Sequence, residues 1–418
     1  MTGQSGNSAA PHGSRQPTIK QELDLTSQPA TMLRAIVNWL KMANMESDIV
    51  IDTNSALEQS QSALFSILPG EIRNHIWNYA LAEYQDETQL YDDATCYKRP
   101  EYFAPRKIET VLLQTCKRIY QEAWFLPWTN AEQVFYLTSS DRRPARTTIP
   151  TAMQKTLIAI SKTQTMPIIQ HVRVFPQLYM LENGRRLQEI LDLKFFYPKV
   201  ITITIRHTDW WFWESDNNLH LDAKWVDFVR FPNSLTELRL AFESLERKKD
   251  QIDDVVKQAM EGWVFRRKDD TELSAKDCKP EIMRWSGSAT WGHQRWLRDE
   301  TGPNKLDYYV STVTWRPVNS ANDEEAASAA HVAESRQSPN LDAIGYPQLD
   351  DPIPSIHTSY MRNADIPLDA PTEDVRRLLA PVFVEEEDDN SEDEIDAPES
   401  DIDSEDDDFM DVEPGEDG

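Results

Sequence analysis

Helical spacing of hydrophobic residues sets in shortly after the start of this chain. Residues 1–30 are rich in Gly, Ser, Gln and Pro, and this composition predicts a disordered segment. Met32, Ile36, Val37 and Leu40 share one helical face. We therefore predict a short helix near residues 31–43 and then a polar linker, together covering residues 31–62.

A stronger helical pattern follows the sequence Leu68-Pro69-Gly70-Glu71. Proline loses no needed N–H in a first helical turn, and an acidic residue there complements the helix dipole. Apolar residues then recur at Ile72, Ile76, Tyr79 and Ala80. This spacing is typical of a half-buried helix, so we predict that these four side chains form its packed face.

A second helical pattern comes after a polar, tyrosine-containing insert at residues 83–106. Leu112, Cys116, Ile119 and Ala123 share one face, and Pro127 is expected to end this helix. The apolar run at 134–137 then predicts a strand.

Beyond residue 150 the hydrophobic pattern switches repeatedly between strand and helix. Runs rich in β-branched residues lie at 171–175, 200–205 and 235–242, and helical patterns lie at 185–196, 224–229 and 245–263. A late strand is expected at 308–315. Alternating strands and helices favour irregular βα units with a mainly parallel sheet. The predicted fold class is α+β, with α/β as the alternative, and the βα domain spans residues 150–317.

The remaining segment up to residue 384 is mostly polar with scattered proline, and it predicts a disordered linker over 318–384. Within it, Thr372 precedes a short amphipathic pattern and can cap a helix at 372–380.

Charge is distributed very unevenly along the chain. The net charge is −28, but residues 385–418 alone hold 20 Asp and Glu and no Lys or Arg. The rest has 51 acidic against 43 basic residues and is only mildly acidic. The sequence thus predicts a disordered acidic tail, and the lack of clustered cations argues against nucleic-acid binding.

Cysteine usage and hydropathy point to an intracellular protein, cytoplasmic or nuclear. The three cysteines Cys96, Cys116 and Cys278 are far apart in sequence, which does not fit a disulfide framework. No apolar run approaches the ~18 residues of a membrane span, and no secretion signal is recognisable.

Motifs of catalysis are missing from the sequence. The 12 glycines form no P-loop, GxGxxG or GxSxG motif, and the eight histidines form no zinc-type spacing. We therefore assign no catalytic, cofactor-binding or metal-binding residue and expect a non-enzymatic protein. An active site assembled from residues distant in sequence stays open as a third alternative.

The paired helical motifs resemble a known family. The stretches Phe65-Ser-Ile-Leu-Pro-Gly-Glu-Ile-Arg-Asn-His-Ile-Trp-Asn-Tyr-Ala-Leu81 and Leu112-Leu-Gln-Thr-Cys-Lys-Arg-Ile-Tyr-Gln-Glu-Ala123 resemble the F-box-like domain of many filamentous-fungal proteins. The resemblance covers residues 63–140 and implies an F-box-like helical module. In F-box proteins the matching positions dock a small adaptor of a cullin ubiquitin ligase. It therefore implies adaptor docking by Leu68, Pro69, Ile72 and Ile76, although a role in internal packing stays open.

Two further features have alternative interpretations. Trp210, Trp211 and Trp213 directly follow a predicted strand, where they either cap the βα core or anchor a partner. The acidic tail either only solubilises the chain, or screens basic patches, or binds basic partners. The last reading would make the protein a nuclear chaperone or regulatory factor.

Four residues match modification patterns. Lys20 lies in Ile19-Lys20-Gln21-Glu22, which fits the pattern for sumoylation. Ser391, Ser400 and Ser404 each have an acidic residue three positions later, as acidophilic kinases prefer. Each phosphate would add about −1.5 to −2 charge to the tail.

Overall fold

The fold is seen in a computed structural model that describes residues 59–164, 166–276, 278–318 and 338–378. The helix expected near residues 31–43 and the acidic tail lie outside the described residues. The helices are α1 (Ala63–Ser66), α2 (Gly70–Ala80), α3 (Lys117–Ala123), α4 (Leu126–Asn130), α5 (Pro150–Ser161), α6 (Leu178–Leu181), α7 (Arg185–Leu191), α8 (Lys224–Phe228), α9 (Lys249–Gly262) and α10 (Thr358–Asn363).

The strands are β1 (Glu83–Gln85), β2 (Arg106–Ile108), β3 (Gln133–Leu137), β4 (Ile168–Pro176), β5 (Tyr197–Ile205), β6 (Arg230–Phe231), β7 (Glu237–Leu245), β8 (Phe265–Arg267), β9 (Glu272–Ser274), β10 (Glu281–Ser288), β11 (Thr290–Trp291), β12 (Gln294–Arg295), β13 (Lys305–Pro317) and β14 (Ile356–His357). Residues 372–378 are also helical, as the sequence predicts.

A mixed nine-stranded sheet forms the centre of the molecule. Strands β3, β4, β5 and β7 are adjacent and parallel, whereas β13 pairs antiparallel with β7 and β10 pairs antiparallel with β13. One row across five strands consists of Phe135, Val174, Ile203, Leu240 and Val313, all buried. The fold is therefore consistent with α+β. The sheet is mixed and not mainly parallel as predicted, because β13 and β9 pair antiparallel with their neighbours and only the edge pair β6 and β8 is parallel again.

Aromatic side chains fill the core beside β7 and β13. Trp225, Trp263, Phe265 and Trp315 are almost fully buried and contact one another mainly edge to face. Such pairs stabilise a core beyond the effect of the area they bury. The same core includes apolar residues of α5, α7 and α9.

Residues 63–130, which contain α1 to α4, are connected to this sheet by the strand that follows them, β3. Helices α2 and α3 share a small core made of Trp77, Leu81, Ile119 and Ala123. Pro127 does not simply end a helix, because it lies in the first turn of α4. Strand β3 comes next and forms the edge of the main sheet. The segment 63–140 therefore contributes both a helical layer and a strand of the larger sheet.

Residues 338–378 pack onto the body, although the sequence predicts a linker here. Leu341 joins the main core, and Ile356, Met361 and Val375 form a second cluster with Leu297. Strand β14 pairs with β12. The expectation fails for these residues because their apolar side chains are isolated between prolines and polar residues, so they show no helical or strand period.

Candidate functional site

The inner face of α2 is defined by one large aromatic residue and one ion pair. Trp77 is 1% exposed, and its Nε1 donates to Glu122 Oε2 at 3.2 Å. Arg73 donates to the same carboxylate through Nε and Nη2, at 2.9 and 2.8 Å. Because Glu122 belongs to α3, these contacts fix how the two helices face each other. Leu81 continues this face one turn further and is buried.

The outer face of α2 is apolar and exposed. Ile72 is 46% exposed, Ile76 is 37% exposed and Tyr79 is 86% exposed, while Ala80 is also exposed. The prediction that these four residues form the packed face is wrong. Trp77 and Leu81 are buried instead, so α2 is rotated by about one residue relative to the predicted orientation. This orientation is favoured because burying the indole removes more apolar area from water than burying either isoleucine would.

The residues that lead into α2 extend this exposed surface. Pro69 directly precedes the first helical residue and is exposed, with φ −57° and ψ 155°. Leu68 is half-buried, and its carbonyl accepts from Arg73 Nη1 at 2.8 Å. Ile67 is 74% exposed. We call the surface of Ile67, Pro69, Ile72, Ile76 and Tyr79 the α2 outer face.

The tryptophans that follow β5 belong mostly to the core. Trp210 is buried, and its Nε1 donates to the Glu243 carbonyl oxygen at 2.8 Å. Trp213 is buried against Trp291 and Trp296. Trp211 is half-buried, and its Nε1 donates to Glu182. A role of Trp210 and Trp213 as partner anchors is therefore contradicted, because their rings are not accessible.

A buried carboxylate ties the insert to the sheet. Glu132, next to β3, accepts from Arg173 Nε at 3.0 Å and pairs with Arg106 Nη2 at 2.9 Å. The hydroxyl of Tyr102 donates to the same carboxylate. Burial alone would raise the pKa of Glu132, but the charges of Arg173 and Arg106 lower it below its usual value. The carboxylate therefore stays ionised and holds three segments together.

The same insert closes over the carboxyl ends of the parallel strands. Arg99 pairs with Glu243 of β7 at 2.8 Å, and both side chains are almost fully buried. The two residues enclose part of a cavity of about 220 Å³ with Cys96 and His207. Burial raises the pKa of the Cys96 thiol, which therefore stays protonated and unactivated near neutral pH. Sequence reasoning missed this cavity because it joins residues more than a hundred positions apart.

The modification sites cannot be placed on this structure. Lys20, Ser391, Ser400 and Ser404 lie outside the described residues, as does the whole segment 385–418. Among the described residues, no group of three or more His, Cys, Asp or Glu side chains is arranged to hold a metal ion. The helices in that part of the chain are all too short or too polar to cross a lipid bilayer.

Comparison with known proteins gives no relative for this chain. Searches against family models, curated proteins and solved structures found no match. Among the described residues, the α2 outer face is the candidate site with the clearest physical basis, because its apolar side chains are exposed on a helix whose other face is packed. Its residues belong to the first of the two sequence motifs, and their side chains are exposed.

Proposed function

We propose that this chain is a non-enzymatic interaction protein that docks a partner through the α2 outer face. The partner we propose is the small adaptor of a cullin ubiquitin ligase, and the βα body then serves as substrate receptor or scaffold. The observation that carries the proposal is the exposure of Ile72, Ile76 and Tyr79 on a helix whose other face is already packed. The resemblance of residues 63–140 to F-box-like domains supports the choice of partner.

The spacing of the exposed residues suits a helix that lies in a groove of its partner. Ile72, Ile76 and Tyr79 stand at positions i, i+4 and i+7, which is the usual spacing of apolar anchors in this mode of binding. Polar exposed residues at Glu71, Asn74 and His75 flank them. An apolar centre with a polar rim is the common anatomy of a protein interface.

Internal contacts position this face independently of any partner. The bidentate contact of Arg73 with Glu122 and the burial of Trp77 determine the rotation of α2 about its axis. A pre-arranged helix does not have to be ordered on binding, so less of the interaction free energy is lost. Substituting the exposed isoleucines should therefore affect binding without affecting the fold.

A pulldown with the purified fungal adaptor tests the proposal. Wild-type protein should retain the adaptor, and the double variant Ile72→Ser/Ile76→Ser should lose at least about tenfold in affinity, as expected when two interface anchors are removed. Leu68→Ala/Pro69→Ala should weaken binding as well. The matched control is Ile158→Ser, which changes an isoleucine on α5 that is 41% exposed.

The proposal fails if wild type and Ile72→Ser/Ile76→Ser retain the adaptor equally, or if neither retains it. Equal loss in Ile158→Ser would also contradict it, because the effect would then not be specific to α2. Melting temperatures of all variants establish that each one is folded.

A further inference from the structure

One stretch of this acidic chain is strongly basic. Residues 142–199 hold 10 Lys and Arg but only three Asp and Glu, and no acidic residue lies between Asp141 and Glu182. The net charge of the whole chain is −28. These cations form no run in the sequence, because they are spread along the whole stretch. Whether they form a surface therefore depends on the fold.

Helix α5 presents two of these cations on its outer side. Lys155 and Lys162 are exposed and stand seven positions apart, which places them two turns apart on one helical face. Their separation along the helix axis is about 10 Å. Met153, Leu157 and Ile160 on the other side of α5 are buried. The packing of α5 thus directs both lysines towards water.

Two loops next to α5 add three further exposed cations. The backbone N–H of Lys194 donates to Gln154 Oε1 at 2.8 Å, and Gln154 Nε2 donates to the Lys194 carbonyl oxygen at 3.1 Å. These contacts place Lys194 beside the middle of α5. Arg143 and Arg146 lie in the loop that leads into α5. We call the exposed surface of Arg143, Arg146, Lys155, Lys162 and Lys194 the α5 basic face.

The α5 basic face has a surplus of positive charge. None of its five side chains forms an ion pair with another described residue. The acidic residues of α7 and of the loop after it already have partners, since Glu189 pairs with Arg186 at 3.4 Å and Asp192 pairs with Lys268 at 2.7 Å. Asp141 adjoins the loop before α5 and offsets at most one of the five charges. Among the described residues, the other charges are left without a counter-charge.

The acidic segment 385–418 has the complementary charge. It holds 20 Asp and Glu and no Lys or Arg, so it exceeds the cations of the α5 basic face several times over. Residues 379–384 separate it from the last described residue and bridge at most about 20 Å when fully extended. A segment tethered to the same chain reaches an effective concentration in the millimolar range. It therefore has an advantage over any acidic molecule in solution.

A series of contacts connects the end of the described chain with the α5 basic face. Residues 372–378 pack onto the body in one cluster with Leu297. The next residue, Arg298, donates through Nη1 to the Glu214 carbonyl oxygen at 3.0 Å. The Glu214 carboxylate in turn pairs with Arg142 at 3.7 Å, and Arg142 directly precedes the loop that leads into α5. The acidic segment is thus attached to the body close to this surface.

We propose that the acidic segment 385–418 docks on the α5 basic face of its own chain. Its carboxylates neutralise the exposed cations and close this surface to other polyanions, nucleic acid included. A single exposed ion pair contributes little, so the contact depends on many charges acting together. The α5 basic face shares no residue with the α2 outer face, and the inference does not rest on adaptor docking.

Carbodiimide cross-linking of the full chain, with mass spectrometry of the monomeric fraction, tests the proposal, because this reagent joins amines only to carboxylates in contact with them. Lys155, Lys162 and Lys194 should form links to residues 385–418. The yield should fall at least about threefold between about 0.1 M and about 1 M salt, since the screening length shrinks from about 10 Å to about 3 Å. The matched control is Lys257, an exposed lysine on the acidic helix α9, which should form few such links.

A charge variant that keeps the reactive lysines gives a second readout. Arg143→Gln/Arg146→Gln should reduce the links at Lys155 at least about twofold, because two of the five attracting charges are removed. Arg284→Gln/Lys305→Gln is the control, since it removes two exposed cations from β10 and β13 and should leave these links unchanged. The melting temperatures of both variants should equal that of wild type, because all four side chains are exposed.

The proposal is overturned if the lysines of the α5 basic face form no more links to 385–418 than Lys257 does. Links found only in a dimeric fraction would contradict it as well, because the segment would then dock on a second copy. A short DNA duplex supplies the remaining test. If wild type binds this duplex at about 0.15 M salt and loses the links in its presence, then the α5 basic face serves nucleic acid and the proposal is rejected.

Discussion

At the scale of single residues, burial of ionisable groups makes stability depend on pH. His207 is the second residue after the end of β5 and is 4% exposed. Burial lowers the pKa of its imidazole to about 3, and the nearby charges of Lys248, Arg247 and Arg298 act in the same direction, while Asp299 opposes them. The folded protein therefore keeps His207 neutral over a range in which the unfolded chain protonates it.

The sign of this effect follows from the two protonation states. The pKa of His207 is lower in the folded state than its ordinary value of about 6.5, so its contribution is fully present above pH ~6.5. It is lost as the pH falls from there towards 3. Between pH 6 and 4 the free energy of unfolding should fall more steeply with decreasing pH in wild type than in His207→Gln. The difference between the two slopes should be about 1.4 kcal/mol per pH unit.

Urea unfolding at a series of pH values measures that slope. His75→Gln is the control, because His75 is an exposed position of α2. If the slope of His207→Gln equals that of wild type, then the imidazole is accessible to protons and its burial is not as described.

At the same scale, the two faces of α2 should respond differently to truncation. Trp77→Ala should reduce the free energy of unfolding by about 3–5 kcal/mol, as expected when a buried aromatic side chain is removed. Ile72→Ser/Ile76→Ser should change it by less than about 1 kcal/mol, because both side chains are partly in water already. Chemical denaturation measures both. A larger loss in the isoleucine variant would mean that these side chains are packed after all.

At the scale of elements, one buried aspartate connects the C-terminal segment 338–378 to the body. Asp216 accepts from Arg247 Nη2 at 2.6 Å and pairs with Lys248 Nζ at 2.8 Å, and the backbone N–H of Leu349 donates to it at 2.9 Å. Burial alone would raise the pKa of Asp216, but these hydrogen bonds lower it to about 2. The carboxylate is therefore ionised throughout the physiological range.

Asp216→Asn should destabilise the protein by about 3–5 kcal/mol, because Lys248 is then left buried without its counter-charge. It should also speed proteolytic cleavage within 338–378, since the contact to Leu349 weakens. Asp342→Asn is the control. Asp342 lies in the same segment, and it accepts an exposed hydrogen bond from Asn218 of the body. Equal cleavage rates in the two variants would contradict this role of Asp216.

Elements with strong local patterns were predictable from the sequence. The β-branched runs at 171–175 and 200–205 lie within β4 and β5, the run at 235–242 begins two residues before β7 and overlaps it, and the charged helical pattern at 245–263 contains α9. Packing decided what the local pattern did not. In α2, two neighbouring stripes both look apolar, and only the contacts of Trp77 with α3 determine which stripe is buried.

At the scale of the whole molecule, long-range pairs shape the sites that the sequence did not reveal. The pair of Arg99 with Glu243 joins the insert to the middle of the sheet, and no periodicity in either segment indicates it. Residues 338–378 likewise contact elements that are distant in sequence, such as β12 and Leu297. Such contacts cannot be predicted from local patterns, because they depend on which distant elements meet in the fold.

At this scale, the α2 outer face and the cavity are separate features of the described residues. The α2 outer face is apolar and convex on a helix, while the cavity lies between the insert and the carboxyl ends of the strands. The proposed docking of the adaptor involves only the α2 outer face.

Hydrogen–deuterium exchange of the full chain, with and without saturating adaptor, tests the proposed docking of the adaptor on α2. Peptides that cover Gly70–Ala80 should exchange more slowly in the presence of the adaptor, because docking suppresses local opening of α2. Peptides that cover α5 should exchange at the same rate in both samples. Unchanged exchange across α2, or protection confined to other parts of the chain, would contradict the account.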